Sequence, residues 1–432
     1  MPTITSNTSV VFDGASPVQF DGETHYQWFN SFLEIASFWS PDPLPILTVT
    51  LTGSDWGMGV FRHAGLGRLT INDGAGENRR IDAITDYSDG LTRITLNTTS
   101  TEFLRTGDGN DVIKIGNVGI ASMLTSGGND VVIIDSDIGA GHIDLGHGNN
   151  RLTLQGDGFV QSITSGVDND KFVLLSEFET LSTGRGNDRV TLGDAWGGTI
   201  YTGRGSDQVK MGAASVDFIA LGRDADRLIA AVQAEPDFRV VVSGGGGVSS
   251  PEDADIDVMD FRFFTADITM NLQHGIVDSA QGRFRLHEIE NIVSGSGNDT
   301  LRGNWEDNRI EGRDGNDVIH FGEGADVLFG QGGADHFVLD FVDEGIDRII
   351  DFRRGQGDKI DVSQLDADTT LAGQQDFTFI GTAGFSGNAG ELRALNFGGS
   401  ARVMADIDGD GGVDLTFIAV DAGLLGSGDF IF

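Results

Sequence analysis

Five residues, Asp299, Asn308, Asp317, Asp326 and Asp335, stand nine positions apart in the stretch SGSGNDTLRGNWEDNRIEGRDGNDVIHFGEGADVLFGQGGADHFVL. A nine-residue unit has room for one short strand and one tight turn. It cannot bury an apolar face alone, so such units are stable only when stacked. Each acidic position is preceded by small residues able to curl the chain: Ser294 and Ser296, Asp314 with Gly312, Gly322 and Gly324, and Gly330 and Gly332. If nine residues make half a turn, residues eighteen apart share an edge. Asp299, Asp317 and Asp335 then line one edge, and Asn308 and Asp326 line the other.

A longer period precedes it, over residues 103–230. Its turns read TGDGNDVIKI, TSGGNDVVII, LGHGNNRLTL, SGVDNDKFVL, TGRGNDRVTL, TGRGSDQVKM and LGRDADRLIA. The acidic position falls at Asp111, Asp130, Asn150, Asp170, Asp188, Asp207 and Asp226, in steps of 19, 20, 20, 18, 19 and 19. Apolar residues follow two and four positions later, as in Ile113 and Ile115 or Phe172 and Leu174. That alternation predicts a strand with one face inward. A second apolar column, Leu104, Met123, Ile143, Ile163, Leu181, Ile200 and Ile219, precedes the turns. Each unit therefore supplies two strands and two turns. The turn glycines include Gly107, Gly109, Gly128, Gly184, Gly186, Gly203 and Gly205. Asp168 and Asp224 stand where glycine is expected, and Asp tolerates left-handed backbone better than most residues.

The repeats explain a composition with 64 glycines and a net charge of −38. Such a field repels nucleic acid and anionic membrane surfaces, and its natural counterions are divalent metals. Calcium takes six to eight oxygens, which backbone carbonyls of glycine turns and Asp carboxylates can supply together. The expected ligands are the acidic columns and turn residues named above. Cations between successive turns would neutralise carboxylates that otherwise repel. With one ion per gap, about six to ten ions are expected. Asn150 and Asn308 lack the charge and should bind more weakly. A separate loop, Asp406, Asp408, Asp410 and Asp414, matches the 1, 3, 5 ligand spacing of an EF-hand, but Phe417 stands where its bidentate Glu belongs.

The nonapeptide matches the known repeat of RTX proteins. VMDFRFFTADITMNLQHG and LHEIENIVSGSGNDTLRGN resemble the lead-in of the serralysin-type C-terminal region. GIDRIIDFRRGQGDKIDVSQL and the end, FTFIGTAG…DLTFIAV…DFIF, are similar to its closing β-domain. The resemblance implies export by a type I secretion apparatus through an uncleaved C-terminal signal, here Asp429, Phe430, Ile431 and Phe432. It also implies folding on extracellular calcium. The N-terminus lacks a basic region followed by an apolar one, no apolar run reaches membrane-spanning length, and there is no cysteine. All three fit that route.

The serralysin zinc site requires H-E-x-x-H. Here His287-Glu288-Ile289-Glu290-Asn291 lacks the second histidine, and no other histidine is followed by Glu. Neither a G-x-S-x-G elbow nor a G-x-x-x-x-G-K-[ST] loop occurs. Residues 24–39, THYQWFNSFLEIASFW, have the spacing of an amphipathic helix, with Trp28, Phe29, Phe32, Ile35, Ala36 and Trp39 on one face. They are expected to cap the stack.

The expected fold is all-β, a parallel β-roll solenoid in two arrays. It divides into an N-terminal cap (1–80), a first solenoid (81–245), a lead-in (246–293), a nonapeptide roll (294–345) and a C-terminal β-domain (346–432). The expected role is a secreted, calcium-binding, non-enzymatic protein of a surface layer, matrix or adhesion, with cell-surface polysaccharide as a partner. The second reading is a secreted polysaccharide lyase or epimerase, or another hydrolase, working on the first solenoid.

Overall fold

The computed structural model describes residues 81–432 except 88, 214, 235, 236, 238, 246–255, 343 and 344; before residue 81 it describes only the backbone of the strands. The chain divides into two compact units, Met1–Arg223 and Asp224–Phe432. Among the described residues there is no α-helix, and none is long and apolar enough to cross a membrane.

The first unit is a parallel β-solenoid with two sheets. One sheet stacks Thr92–Leu96, Val112–Ile115, Val131–Asp135, Arg151–Gln155, Lys171–Leu174, Arg189–Leu192 and Gln208–Lys210, each in parallel register with the next. The opposite sheet stacks Arg79–Asp86, Thr99–Arg105, Ile120–Leu124, Ala140–Asp144, Val160–Thr164, Phe178–Ser182, Gly197–Arg204 and Val216–Arg223. The repeat length sets the register. Ile94, Ile113, Val132, Leu152, Phe172, Val190 and Val209 face one another coil by coil, and all are at most 1% exposed. The column from Leu104 to Ile219 lines the other inner face and is equally buried. Strands at Ile46–Leu51 and Arg68–Asp73 continue the first sheet toward the N-terminus.

The helix expected over residues 24–39 does not form. His25–Phe29 and Phe32–Ala36 make an antiparallel hairpin, Trp28 opposite Leu33, and the second strand pairs in parallel with Gly57–His63. Aromatic and β-branched residues suit a strand, and an open sheet edge offers backbone partners that an isolated helix lacks. Trp39 lies outside the described residues.

The second unit combines a meander and a roll. Ile268–Asn271, Ile276–Ser279 and Gly282–His287 pair antiparallel. The roll alternates three-residue strands between two sheets: Thr300–Arg302, Val318–His320 and His336–Val338 in one, Arg309–Glu311 and Val327–Phe329 in the other. One inward residue per strand suffices at this repeat, so Leu301, Ile310, Ile319, Leu328 and Phe337 are all fully buried. Glu391–Phe397, Ser400–Asp406 and Leu415–Ala419 form an antiparallel sheet whose last strand pairs in parallel with Asp347–Ile349. The terminal strand Phe430–Ile431 lies parallel to Lys359–Asp361, and Arg354 holds Asp429 at 2.7 Å.

Turn geometry limits what the stack accepts. Gly203 has φ +102°, and a Cβ there would stand 2.0 Å from the Gly184 carbonyl oxygen of the preceding coil. A side chain would both strain the backbone and part the coils. Phe172→Ala should cost about 3–5 kcal/mol, the usual loss for a fully buried phenylalanine, measured by denaturant unfolding in saturating calcium. Gly203→Ala, near the end of a strand and half-buried, should destabilise as well, whereas a position governed by exposure alone would tolerate it.

Candidate metal centre

The acidic columns are buried. In the first unit Asp111, Asp130, Asn150, Asp170, Asp188 and Asp207 are at most 3% exposed, and in the second so are Asp226, Asp299, Asn308, Asp317, Asp326 and Asp335. In most of them one side-chain oxygen closes the stack, whereas Asn308 Oδ1 accepts the Asn304 N–H of its own turn. The Asp111 N–H donates to Asp130 Oδ1 (2.8 Å), Asp130 to Asn150 (3.0 Å), Asn150 to Asp170 (2.7 Å), Asp170 to Asp188 (2.8 Å) and Asp188 to Asp207 (2.7 Å). The roll repeats this on both edges. Asp299 N–H donates to Asp317 and Asp317 to Asp335; Asn308 donates to Asp326.

A second ladder of opposite polarity runs beside the first. The N–H groups of Asn129, Asn149, Asn169, Asn187 and Ser206 donate to the side-chain Oδ1 of Asn110, Asn129, Asn149, Asn169 and Asn187, one coil earlier. In the roll the Asn298 and Asn316 side-chain oxygens accept likewise from the Asn316 and Ala334 N–H groups. Two side chains per turn thus satisfy backbone donors that a turn would otherwise leave to water. Sequence reasoning passed over this column, although an Asn before the acid recurs in GND, GNN and DND.

The other carboxylate oxygen is the candidate ligand. Oδ2 of Asp111, Asp130, Asp188, Asp317 and Asp335 is buried and takes no backbone donor, and at Asp317 and Asp335 no side-chain donor either. The hydroxyls five residues upstream, Thr106, Thr125 and Thr183, donate to carbonyls of the next coil while lying within reach of the Asp111, Asp130 and Asp188 carboxylates. Ser165 and Ser294 occupy the same position and do donate to Oδ2 of Asp170 and Asp299. In the roll the position is also glycine: a Cβ on Gly312 would stand 2.3 Å from Asp317 Oδ2, and one on Gly330 2.2 Å from Asp335 Oδ2. The turn is built around that oxygen.

The curl comes from left-handed residues two and four positions before the acid. Gly184 and Gly186 (φ +99° and +131°), Gly203 and Gly205, and Gly322 and Gly324 serve as the sequence implies, and Asp168 and Asp224 adopt it too (φ +84° and +78°). Gly128 joins Ser126 in this role. The roll departs from the expected positions. Arg313 and Gly315, and Gln331 and Gly333, are the left-handed residues, while Gly312, Asp314, Gly330 and Gly332 are not. Glycine content alone marks the turn but not which of its residues inverts. Gly107 and Gly109 are likewise not left-handed, yet a Cβ on Gly109 would meet the Gly90 oxygen at 2.0 Å.

The ladders extend further than equal spacing reveals. Asp226 N–H donates to Asp257, Asp326 to Asp347 and Asp335 to Asp358, across 31, 21 and 23 residues. Insertions between coils break the period while the edge continues.

Burial raises the acid pKa values. Desolvation dominates, hydrogen bonds to the carboxylates partly oppose it, and neighbouring carboxylates add to it at Asp111, Asp170, Asp317 and Asp335; Asp111 and Asp170 come to about 7, Asp317 to about 8 and Asp130 and Asp335 to about 6. An all-oxygen donor set, orphaned buried carboxylate oxygens and turns shaped around them fit a hard divalent cation such as calcium.

The Asp406 loop is organised differently. Carboxylate oxygens of Asp406, Asp408 and Asp414 lie within 4.8 Å of one another. Asp406 accepts the Gly409 and Gly411 N–H groups, and Asp414 accepts that of Ile407. Asp410 is outside the group and accepts the Gly412 N–H. Phe417 is fully buried against Phe321 (5.9 Å), so no side chain replaces the missing Glu.

Residues 251–432 match the family model of the peptidase M10 serralysin C terminal. The solved structure of the extracellular lipase LipA from Serratia marcescens is similar at 12% identity, with a TM-score of 0.19, over 76% of this chain. The chain spans 45% of that lipase's length. No curated protein sequence matches.

Two outcomes follow from the raised pKa values. Without calcium, the folded state holds protons that the unfolded chain releases at its ordinary value of 3.8. Stability from these groups is therefore full below pH 3.8 and lost as pH rises through about 6 to about 8. In chelator, circular dichroism should show β-structure near the acid end of this window and its loss toward the other; in calcium the loss should vanish. Asp317→Asn keeps the acceptor for the Asp299 N–H but removes the charge. It should raise chelator-state stability and cut the stabilisation by calcium by about 1.5–3 kcal/mol, a charged hydrogen bond's worth, in paired melts.

Proposed function

We propose, from a serralysin-type C-terminal region joined to a solenoid with the same acidic turns, that the chain is a secreted protein that folds on extracellular calcium. One observation carries the reading: buried carboxylates line the edges with an oxygen the backbone does not use, and in the roll Gly312 and Gly330 leave space for it at Asp317 and Asp335. Above pH 8 without calcium the columns are mutually repelling charges in a dry interior, and the solenoid is held open. At the millimolar calcium outside cells, binding energy becomes folding energy. Extracellular calcium modules bind with Kd of about 10⁻⁴–10⁻³ M, which separates the two compartments. Export through a type I apparatus fits this, since the chain would pass unfolded.

The role is structural or adhesive, at a surface or matrix. The described coils of the first unit repeat one plan, and much of their side-chain chemistry is spent on stacking and the acidic edge. Polysaccharide-directed catalysis is the second reading, and cell-surface polysaccharide is a partner in both. Fractionating producing cells in millimolar calcium tests the role. The protein should remain with the cell surface and come off with chelator. Folded protein free in the medium would overturn the surface role while leaving the calcium reading intact.

A further inference from the structure

The chain carries only four lysines, and three of them, Lys114, Lys171 and Lys210, lie in strands of one sheet of the first unit and are exposed. In that sheet Arg151 stands directly beside Lys171, and Lys171 beside Arg189. All three are exposed, and none forms an ion pair or side-chain hydrogen bond among the described residues. Paired strands are about 4.8 Å apart, and like charges set directly opposite one another are unfavourable. Acidic residues are more than twice as numerous as basic ones, so an alternating arrangement was available. A second line of cations runs where strands of the opposite sheet enter the acidic turns: Arg185 is bridged to Arg204 and Arg204 paired with Arg223, all exposed.

We propose that these two cation lines bind a linear acidic polysaccharide laid along the solenoid axis, one carboxylate per cation or per coil. The proposal rests on the calcium-folded state proposed above, since only stacking brings residues about twenty apart into line. Both files cross the strands, and so present a line rather than a disc of charge, which suits a polymer better than a membrane. The outward neighbours in the next column, Thr153, Val173 and Thr191, are hydroxyl-bearing or small. No aromatic ring stands there to stack nucleobases. The surrounding charge of −38 also penalises a duplex bearing a phosphate every 1.7 Å of axis more than a chain with one carboxylate per sugar.

The test is calorimetric titration of the full chain, at one fixed free calcium concentration, with a soluble oligomannuronate, a neutral mannan oligomer, duplex DNA and anionic lipid vesicles. The oligomannuronate should bind, more weakly as salt rises, and the neutral oligomer should not. R151Q/K171Q/R189Q should weaken binding about tenfold or more, as expected when several ionic contacts go, with unchanged calcium-induced circular dichroism. If that variant does not fold, K171E and R204E singly should each show a smaller loss. Uronate binding that ignores these substitutions, or is absent in wild type, would overturn the proposal. Equal or tighter binding of DNA or vesicles would overturn its choice of partner. A wild-type chain that gains no β-structure with calcium would instead indict the calcium reading.

Discussion

A column of carboxylates buried at the edge of a stack is the constraint on which the structure turns. Removing a carboxylate from water is costly unless the charge is paired, hydrogen-bonded or neutralised by a proton. Here one oxygen of each is used by a backbone N–H of the adjacent coil, and in several the other is left for something the polypeptide does not supply. The side chain that glues neighbouring coils together is therefore the one that calls for a cation. On the proposed reading, stacking and metal binding are one interaction seen from two sides.

The pair of ladders makes this workable. Asparagines reach one way along the edge and aspartates the other, so each turn both gives and receives a side-chain acceptor. An uncharged Asn can take the acidic place, as Asn150 does when it accepts from Asp130. Such a coil keeps its place in the stack and contributes no charge. Departures from the repeat thus tune charge without breaking the edge.

The inner columns impose a different discipline. In the first unit several strands carry two inward residues, and the core mixes Ile, Val, Leu, Met and Phe from coil to coil. In the roll most strands of three residues bury one apolar side chain, so little apolar area is available per coil and the proposed ions would contribute more there. The closing sheet adds aromatic area to the roll, with Phe417 against Phe321 (5.9 Å), and Phe430 packs near Phe379 (5.3 Å) at the terminal strand.

Much of this was legible in the sequence. Equal spacing with an inward alternation can mean only stacked coils, because the same geometry must repeat wherever the same spacing does; the inner columns and the acidic edges followed from counting. Three things waited for the tertiary structure. The hairpin at residues 25–36 looked helical because aromatic spacing serves either periodicity, and a sheet edge decided it. Asp257, Asp347 and Asp358 were invisible because insertions of varied length break a period without breaking an edge. The cation line was passed over although Arg151, Lys171 and Arg189 each directly follow the acidic position; strand pairing shows them side by side. Local chemistry and its period are written along the chain, but which unlike charges or like charges meet is set across it.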